Sequence, residues 1–355
     1  MMPSLYQMAR TRGRMQTSNM SSVDIIVPCY RYGCYLRECV SSVLTQSVST
    51  VRVLIINDAS PDNTGEIAKE LIRADSRVSY VEHASNKGHI YTYNEGIEWA
   101  SADYLLLLSA DDYLLPGALY RAIELMQNNP EVGLTFGNAI ETTENGNSRQ
   151  TDCIACERDI RIMNGREFIS LSGPRNLVPT PTALVRTALQ KKIGGYRSEL
   201  PHAGDMELWF RFAAHASVGF VRSPQAVYRR HNGNMSLLYR VQRYLPDIEQ
   251  RKAALDTFFA NSAHKVSHPA RLRCSMFDKL AIESIGLASA ALNDGDLQLA
   301  EQLCEFGLRT SPKVKRSWAW VKFEGKRRIG VHKWHVLRPA ANRIHRAGDI
   351  GNSST

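Results

Sequence analysis

The residues best suited to chemistry in this chain are acids that follow apolar runs. YLLLL (104–108) leads into Ser109-Ala110-Asp111-Asp112, and VLII (53–56) leads into Asn57-Asp58-Ala59-Ser60. A third run, VDIIVP (23–28), delivers Pro28-Cys29-Tyr30. Two adjacent carboxylates at the end of a buried segment are costly to ionise unless something cationic compensates them. A divalent cation shared with a diphosphate meets that need, because hard cations take oxygen ligands and usually share them with substrate phosphates. The competing assignment is that Asp111 or Asp112 only caps the helix opening near Pro116. Asp58, at the end of a neighbouring run, tips the pattern toward a site.

The elements that must position these acids follow from periodicity. Short apolar, β-branched runs at 23–28, 51–57, 78–83, 103–109 and 132–137 predict five strands. Between them, 33–46 places Leu36, Cys39, Val40, Val43 and Leu44 on one helical face, and 62–74, 91–100 and 116–127 also read as helices. Strands apolar on both faces and alternating with helices predict a mostly parallel, helix-covered sheet. Ligands in such folds bind at the carboxyl ends of the strands, where these acids fall. Beyond Asn138 a polar stretch reads as a hairpin or exposed loop. Helices are expected at 165–171, 182–192 (stopped by Gly194-Gly195) and 205–214, then an extended segment at 218–228. From Leu237 onward the pattern is helical, with a helix pair over 284–312 like one tetratricopeptide unit.

Composition narrows the classes. The 355 residues are 43% hydrophobic and 22% charged, which supports a sizeable core and excludes a disordered or collagen-like chain. The longest apolar run, Tyr104 to Leu108, is far short of the roughly 20 residues of a membrane span. The net charge of +9 is unevenly placed. Thr310 to Arg346 holds 11 Lys or Arg against the single acid Glu324, and the first 22 residues hold three Arg and no acid. The body between is therefore mildly acidic, and its basic ends suggest an anionic surface as partner. The arm 1–22 has no apolar core of a secretory signal, and the seven cysteines form no regular framework. Cys153-x-x-Cys156 alone does not make a zinc site, so reduced thiols in a cytosolic protein are expected.

Five ordered blocks carry a family pattern: VDIIVPCYRYGCYLRECVSSVLTQS, VLIINDASPDNTGEIA, NKGHIYTYNEGIEWASADYLLLLSADDYLLPGAL, IGGYRSELPHAGDMELWFRFA and YRRHNGNMS. Over about residues 23–236 the chain resembles the family 2 glycosyltransferases, which have a GT-A fold and transfer sugars from nucleoside diphosphates. The resemblance implies that Pro28, Tyr30 and Asp58 line the pocket for base and ribose, Asp58 accepting from a ring N–H. It places Lys87 near the nucleotide, Ser109-Ala110-Asp111-Asp112 at the Asp-x-Asp position with Asp111 as metal ligand, and His231 at the metal or diphosphate. Asp205 falls where the family has its general base, although its position also suits a cap of the helix MELWFRFA, with Glu207 and Arg211 as a surface i,i+4 pair. Arg229 and Arg230 are candidates for neutralising phosphate, His202 and His215 read as surface residues, and Trp209 and Phe210 as core. The chain departs from the pattern at Ser109 and Asn57, where the family usually has aspartate.

The expected architecture is an α/β GT-A domain over 23–236, a helical appendage over 237–312 and a basic tail over 313–355. The expected activity is inverting transfer from a nucleoside diphosphate sugar, UDP by preference, to a hydroxyl of a glycan or lipid-linked glycan, with Mn²⁺ or Mg²⁺. The expected location is the cytosolic face of a membrane. The rival is a non-catalytic relative used as a scaffold. A nicotinamide enzyme lacks its G-x-G-x-x-G, a P-loop enzyme lacks its G-x-x-x-x-G-K, and no nucleic-acid module is recognisable.

Overall fold

The computed structural model describes residues 21–143, 145–154, 158–231, 233–234, 244–331 and 333. The arm 1–20, Cys156 and the end of the basic tail lie outside the described residues.

Strands β1 (Ser22–Cys29), β2 (Thr50–Asn57), β3 (Val78–Glu82) and β4 (Tyr104–Leu107) lie parallel, in the order β3-β2-β1-β4. They alternate with α1 (Gly33–Leu44), α2 (Thr64–Ala74) and α3 (His89–Trp99). Each βα turn therefore opens on the same edge of the sheet, and the carboxyl ends of β1, β2 and β4 bring Tyr30, Asp58 and Asp111 together. Side chains of β1 alternate between two cores: Val23, Ile25 and Val27 pack toward α1, and Ile26 packs toward α3. At Gly96 α3 lies so close to β1 that a Cβ would stand 2.3 Å from Ile26. Any larger residue there would push α3 off the sheet.

The sheet continues through β9 (Leu184–Arg186), β6 (Val132–Thr143), β10 (Ser217–Arg230) and the short β5 (Tyr113–Leu114). β6 and β10 are parallel, and α4 (Ala118–Asn128) precedes β6. The polar stretch after Asn138 is a hairpin, with β7 (Ser148–Gln150) antiparallel to the end of β6. β8 (Ile160–Met163) pairs with β10 and leads into α5 (Gly165–Ser172).

One expectation is corrected here. Residues 182–192 are not a single helix: Leu184–Arg186 is strand β9, wedged antiparallel between β4 and β6, and only α6 (Thr187–Ile193) is helical. The cause is tertiary. Leu184 and Val185 are buried, while the Arg186 guanidinium donates to the carbonyls of Val132 (2.8 Å) and Met126 (2.7 Å).

Beyond α7 (Gly204–His215) and β10, the chain is helical: α8 (Leu245–Asn261), α9 (Pro269–Asn293), α10 (Leu297–Thr310) and α11 (Trp318–Ile329). These helices share a core with the sheet, Phe258 of α8 stacking on Phe210 of α7 at 5.5 Å between centroids. Residues 313–329 of the basic tail fold onto this bundle. Phe323 is buried there, and Lys326 donates to the Ser289 hydroxyl of α9 at 2.8 Å. Among the described residues no helix is long and apolar enough to cross a membrane.

Candidate active site

The ends of β1, β2 and β4, the start of α7 and the start of α8 line one cavity of about 1360 Å³. Pro28, Tyr30, Asp58, Ser109, Asp111, Asp112, Asp205 and His231 all reach it. Arg31 and Ala59, in the turns after β1 and β2, have φ values of +64° and +56°. Non-glycine residues seldom adopt that conformation, and it marks strained turns typical of sites.

Asp58 sits in a dense set of donors. Its Oδ1 accepts from the Lys87 backbone N–H (2.7 Å) and faces His83 Nδ1 (2.7 Å), and its Oδ2 accepts from the Gly88 N–H (2.9 Å). Gly88 has φ +83°, which only glycine adopts without strain and which turns its N–H inward. A carboxylate offers about four lone-pair sites, so one remains for a ligand N–H. His83 Nε2 meets Glu95 Oε2 at 2.6 Å. With both nitrogens facing carboxylate oxygens, the ring can donate to both only as the imidazolium. Lys87 contributes its backbone here; its ammonium lies over the Tyr91 ring, 4.4 Å from the centroid. Asn57 is spent on the turn, accepting the Ser60 N–H and donating to Tyr80.

The Ser109–Asp112 turn hangs from β1, the Ala110 N–H donating to the Pro28 carbonyl and the Asp112 N–H to that of Ser109. Asp111 is buried and uses one oxygen: Oδ2 meets His231 Nε2 and Asn234 Nδ2, each at 3.1 Å. Its Oδ1 is buried with no hydrogen-bond partner among the described residues. Asp112 accepts the Arg229 N–H at 3.0 Å, and burial, reinforced by the charge of Asp111, pushes its carboxyl well above the ordinary range. Arg229 is held by the Asp111 carbonyl, by Glu38 and by the rings of Tyr35 and Tyr113, whereas Arg230 pairs with Glu141. The Gly233 N–H donates to His231 Nδ1 (3.1 Å), which fixes the tautomer with the proton on Nε2, donated to Asp111.

An orphaned buried carboxylate oxygen beside a second carboxylate suits a divalent cation. Asp111 is the side chain that could hold one, its other oxygen being fixed by His231 and Asn234. To ligate as well, the imidazole has to give up its Nε2 proton. Among the described residues, no group of three or more His, Cys, Asp and Glu side chains is placed to hold a metal by itself. Cys29, though in the cavity, has its thiol pushed up to about 12 by burial and is inert.

Asp205 stands in the first turn of α7, where the helix dipole favours an anion. Its Oδ2 accepts from the Thr180 hydroxyl at 2.7 Å, and the Tyr196 phenol donates to the same carboxylate. Burial nonetheless raises its pKa above the ordinary value, the two hydrogen bonds and the nearby His89 and His202 only partly opposing it. A carboxylate so placed is a stronger base than a solvated one.

Two further expectations change. Glu207 and Arg211 are a buried pair at 2.8 Å, not a surface pair. Glu207 is also held by Arg197, and Arg211 by the carbonyls of Ile193, Gly194 and Gly195, which ties the Gly-Gly turn to α7. His202 is not a surface residue but lines the cavity, its Nε2 2.8 Å from Asp247. Trp209 and Phe210 are buried as expected, and His215 bonds to the Arg211 carbonyl at the end of α7. His83, Glu95, Thr180, Tyr196 and Asn234 escaped the sequence reading, although Glu95, Tyr196 and Asn234 lie inside the blocks that carry the family pattern.

Known proteins bear the same signature. The profile of glycosyl transferase family 2 matches residues 24–193. The Bacillus subtilis glycosyltransferase EpsJ is 34% identical over 107 residues, 30% of this chain and 31% of its own length. A Haemophilus influenzae glycosyltransferase is 30% identical over 151 residues, 42% of this chain and 60% of its own. This chain thus spans less than a third of the first relative and about three fifths of the second. The crystal structure of S. aureus TarS 1-349 in complex with UDP-GlcNAc superposes with a TM-score of 0.53 at 17% identity, over 80% of this chain and 90% of that one. The likeness to TarS extends the shared GT-A fold beyond the profile match, and residues 24–193 match the glycosyl transferase family 2 profile.

Proposed function

We propose that the chain is an inverting glycosyltransferase that moves a sugar from a nucleoside diphosphate, UDP by preference, to a hydroxyl of a glycan or lipid-linked glycan. The observation that carries this reading is the buried Oδ1 of Asp111, which has no hydrogen-bond partner among the described residues, in the cavity that also holds Asp205. Asp58 keeps a lone pair for the base N–H, Pro28 and Tyr30 flank the nucleoside, and Ser109 offers the ribose a hydroxyl where the family usually has a carboxylate. Asp111, oriented by His231, would hold a divalent cation, Mn²⁺ or Mg²⁺, which would supply charge neutralisation for the leaving diphosphate.

The protein's own part is proton handling and orientation. The acceptor oxygen attacks the anomeric carbon from the face opposite the diphosphate, its proton passes to Asp205, and the bond from that carbon to the diphosphate oxygen breaks. Thr180 and Tyr196 hold the Asp205 carboxylate for that transfer. The test is thermal stabilisation by UDP with Mn²⁺. The wild type should gain about 2.7 kcal/mol at a hundredfold excess over Kd, and Asp111→Asn should gain nothing. Equal stabilisation of both proteins would remove Asp111 from the donor site.

The exposed Lys313, Lys315, Arg316, Arg327 and Arg328 support peripheral docking on an anionic membrane, each worth up to about 1 kcal/mol near the surface. Reversing Lys313, Lys315 and Arg316 to Glu should abolish sedimentation with phosphatidylserine vesicles at low salt. Undiminished sedimentation would refute that docking mode.

A further inference from the structure

The turn that feeds Asp205 into the cavity is held from two sides. From the sheet side, His89 of α3 bonds to the Pro201 carbonyl at 2.9 Å. From the helical region, Gln250 of α8 accepts the His202 backbone N–H at 3.2 Å, and Asp247 of α8 meets the His202 ring at 2.8 Å.

Asp247 is itself anchored. Arg251, one turn further along α8, donates to it at 2.9 Å, to Glu283 of α9 at 2.9 Å and to the Pro174 carbonyl at 3.0 Å. Burial works against ionising Asp247, yet the bond from His202 and the charge of Arg251 outweigh it and hold its carboxyl below the ordinary range. Asp247 and Arg251 also line the cavity. An ordered chain of charges thus runs from α9 through α8 to a residue three positions before Asp205.

We propose that Asp247 and Gln250 are positioning residues for sugar transfer: by clamping the turn at His202 they set where the Asp205 carboxylate stands in the cavity. The inference rests on Asp205 being the base. It gives the helical region a part in the reaction, through a second-hand hold on the base and through the placing of the His202 ring. The groups facing Asp205 are His89 and Tyr93 from α3, His202 from the turn, and the hydroxyls of Thr180 and Tyr196; His202 in turn faces Asp247 and Gln250 of α8. Removing the Asp247 carboxylate releases the His202 ring from its place near Asp205, and the ionised form of Asp205 loses the support that His202 gives it.

The experiment uses the full chain and whichever of UDP-GlcNAc, UDP-glucose and UDP-galactose the wild type turns over fastest, following UDP release against pH. Asp247→Asn and Gln250→Ala should each lower kcat about ten- to a hundredfold, since a displacement near 1 Å costs that order. Donor KM and the thermal shift with UDP and Mn²⁺ should stay at wild-type values, which a merely unfolded protein would not show. In Asp247→Asn alone, the acid limb of kcat/KM should move to higher pH. Wild-type kcat and an unmoved acid limb in both folded variants, with Asp205→Asn inactive, would overturn the clamp and leave the base in place. Should Asp205→Asn keep wild-type turnover, the base reading falls and the clamp with it.

Discussion

The two halves of the cavity are built differently. The donor half draws mostly on one stretch: Asp58 is held by His83, Lys87 and Gly88, all within 30 residues of it, and Asp111 hangs from the neighbouring strand, with His231 and Asn234 reaching it from further along the chain. The acceptor half is gathered from afar. Asp205 is held by Thr180 and Tyr196, and its turn by His89, Asp247 and Gln250. Parallel βαβ units deliver strand ends to one edge by topology alone, so the donor half takes shape once the first four strands pack. The acceptor half needs the sheet extension and the helical region before its base has a fixed place. A donor site can therefore survive changes that disable transfer, and variants in the two halves should fail in different ways.

The sharpest division is expected at Asp205. Asp205→Asn keeps the hydrogen-bonding shape toward Thr180 and Tyr196 but cannot take a proton. Its kcat for transfer should fall about 10²–10⁴-fold, the usual contribution of a general base, with donor KM nearly unchanged. Steady-state kinetics with a UDP-sugar panel measure both. A variant that lost donor affinity instead would place Asp205 in the donor half and dissolve the contrast.

A smaller, opposite effect is expected at His83. Replacing it by Gln leaves one neutral donor for Asp58 and none of the bridge to Glu95. Hydrogen bonds involving charged groups are worth about 1.5–3 kcal/mol, so donor KM should rise about tenfold or more while kcat at saturating donor holds. A fall in kcat with KM constant would show that the two halves are coupled through α3, which carries both Glu95 and His89.

The same contrast explains what the sequence could disclose. Asp58, Asp111 and Asp112 announce themselves because an acid directly after a buried strand is a local event in the chain. That the first four strands run parallel was readable from their alternation with helices; their order in the sheet was not. Strand β9 was not, since TALVRTALQKK has a helical rhythm and only the open edges of β4 and β6 draw Leu184 and Val185 into the sheet. His202 and the Glu207–Arg211 pair looked solvated because their partners, Asp247 on one side and the carbonyls of Ile193 to Gly195 on the other, arrive only through tertiary packing. Breaking a buried ion pair of this kind costs about 3–5 kcal/mol, whereas a surface pair is worth a fraction of one. Periodicity carries no trace of that difference.

The mildest predicted effect tests the acceptor half by pH. Asp205 must be ionised to accept a proton, and burial raises its pKa. Activity should therefore fall, as pH is lowered, through a limb lying above the ordinary carboxylate range, and be complete on the alkaline side of it. Thr180 stabilises the ionised form by its hydrogen bond, so Thr180→Val lowers that support without touching the donor. The limb of kcat/KM should shift further up, by on the order of one pH unit for a hydrogen bond to a charged group worth about 1.5 kcal/mol. Activity on the alkaline plateau should drop only modestly, because Tyr196 still holds the carboxylate. A limb that stays in place in Thr180→Val would mean that a group other than Asp205 controls it, and would remove Asp205 as the base.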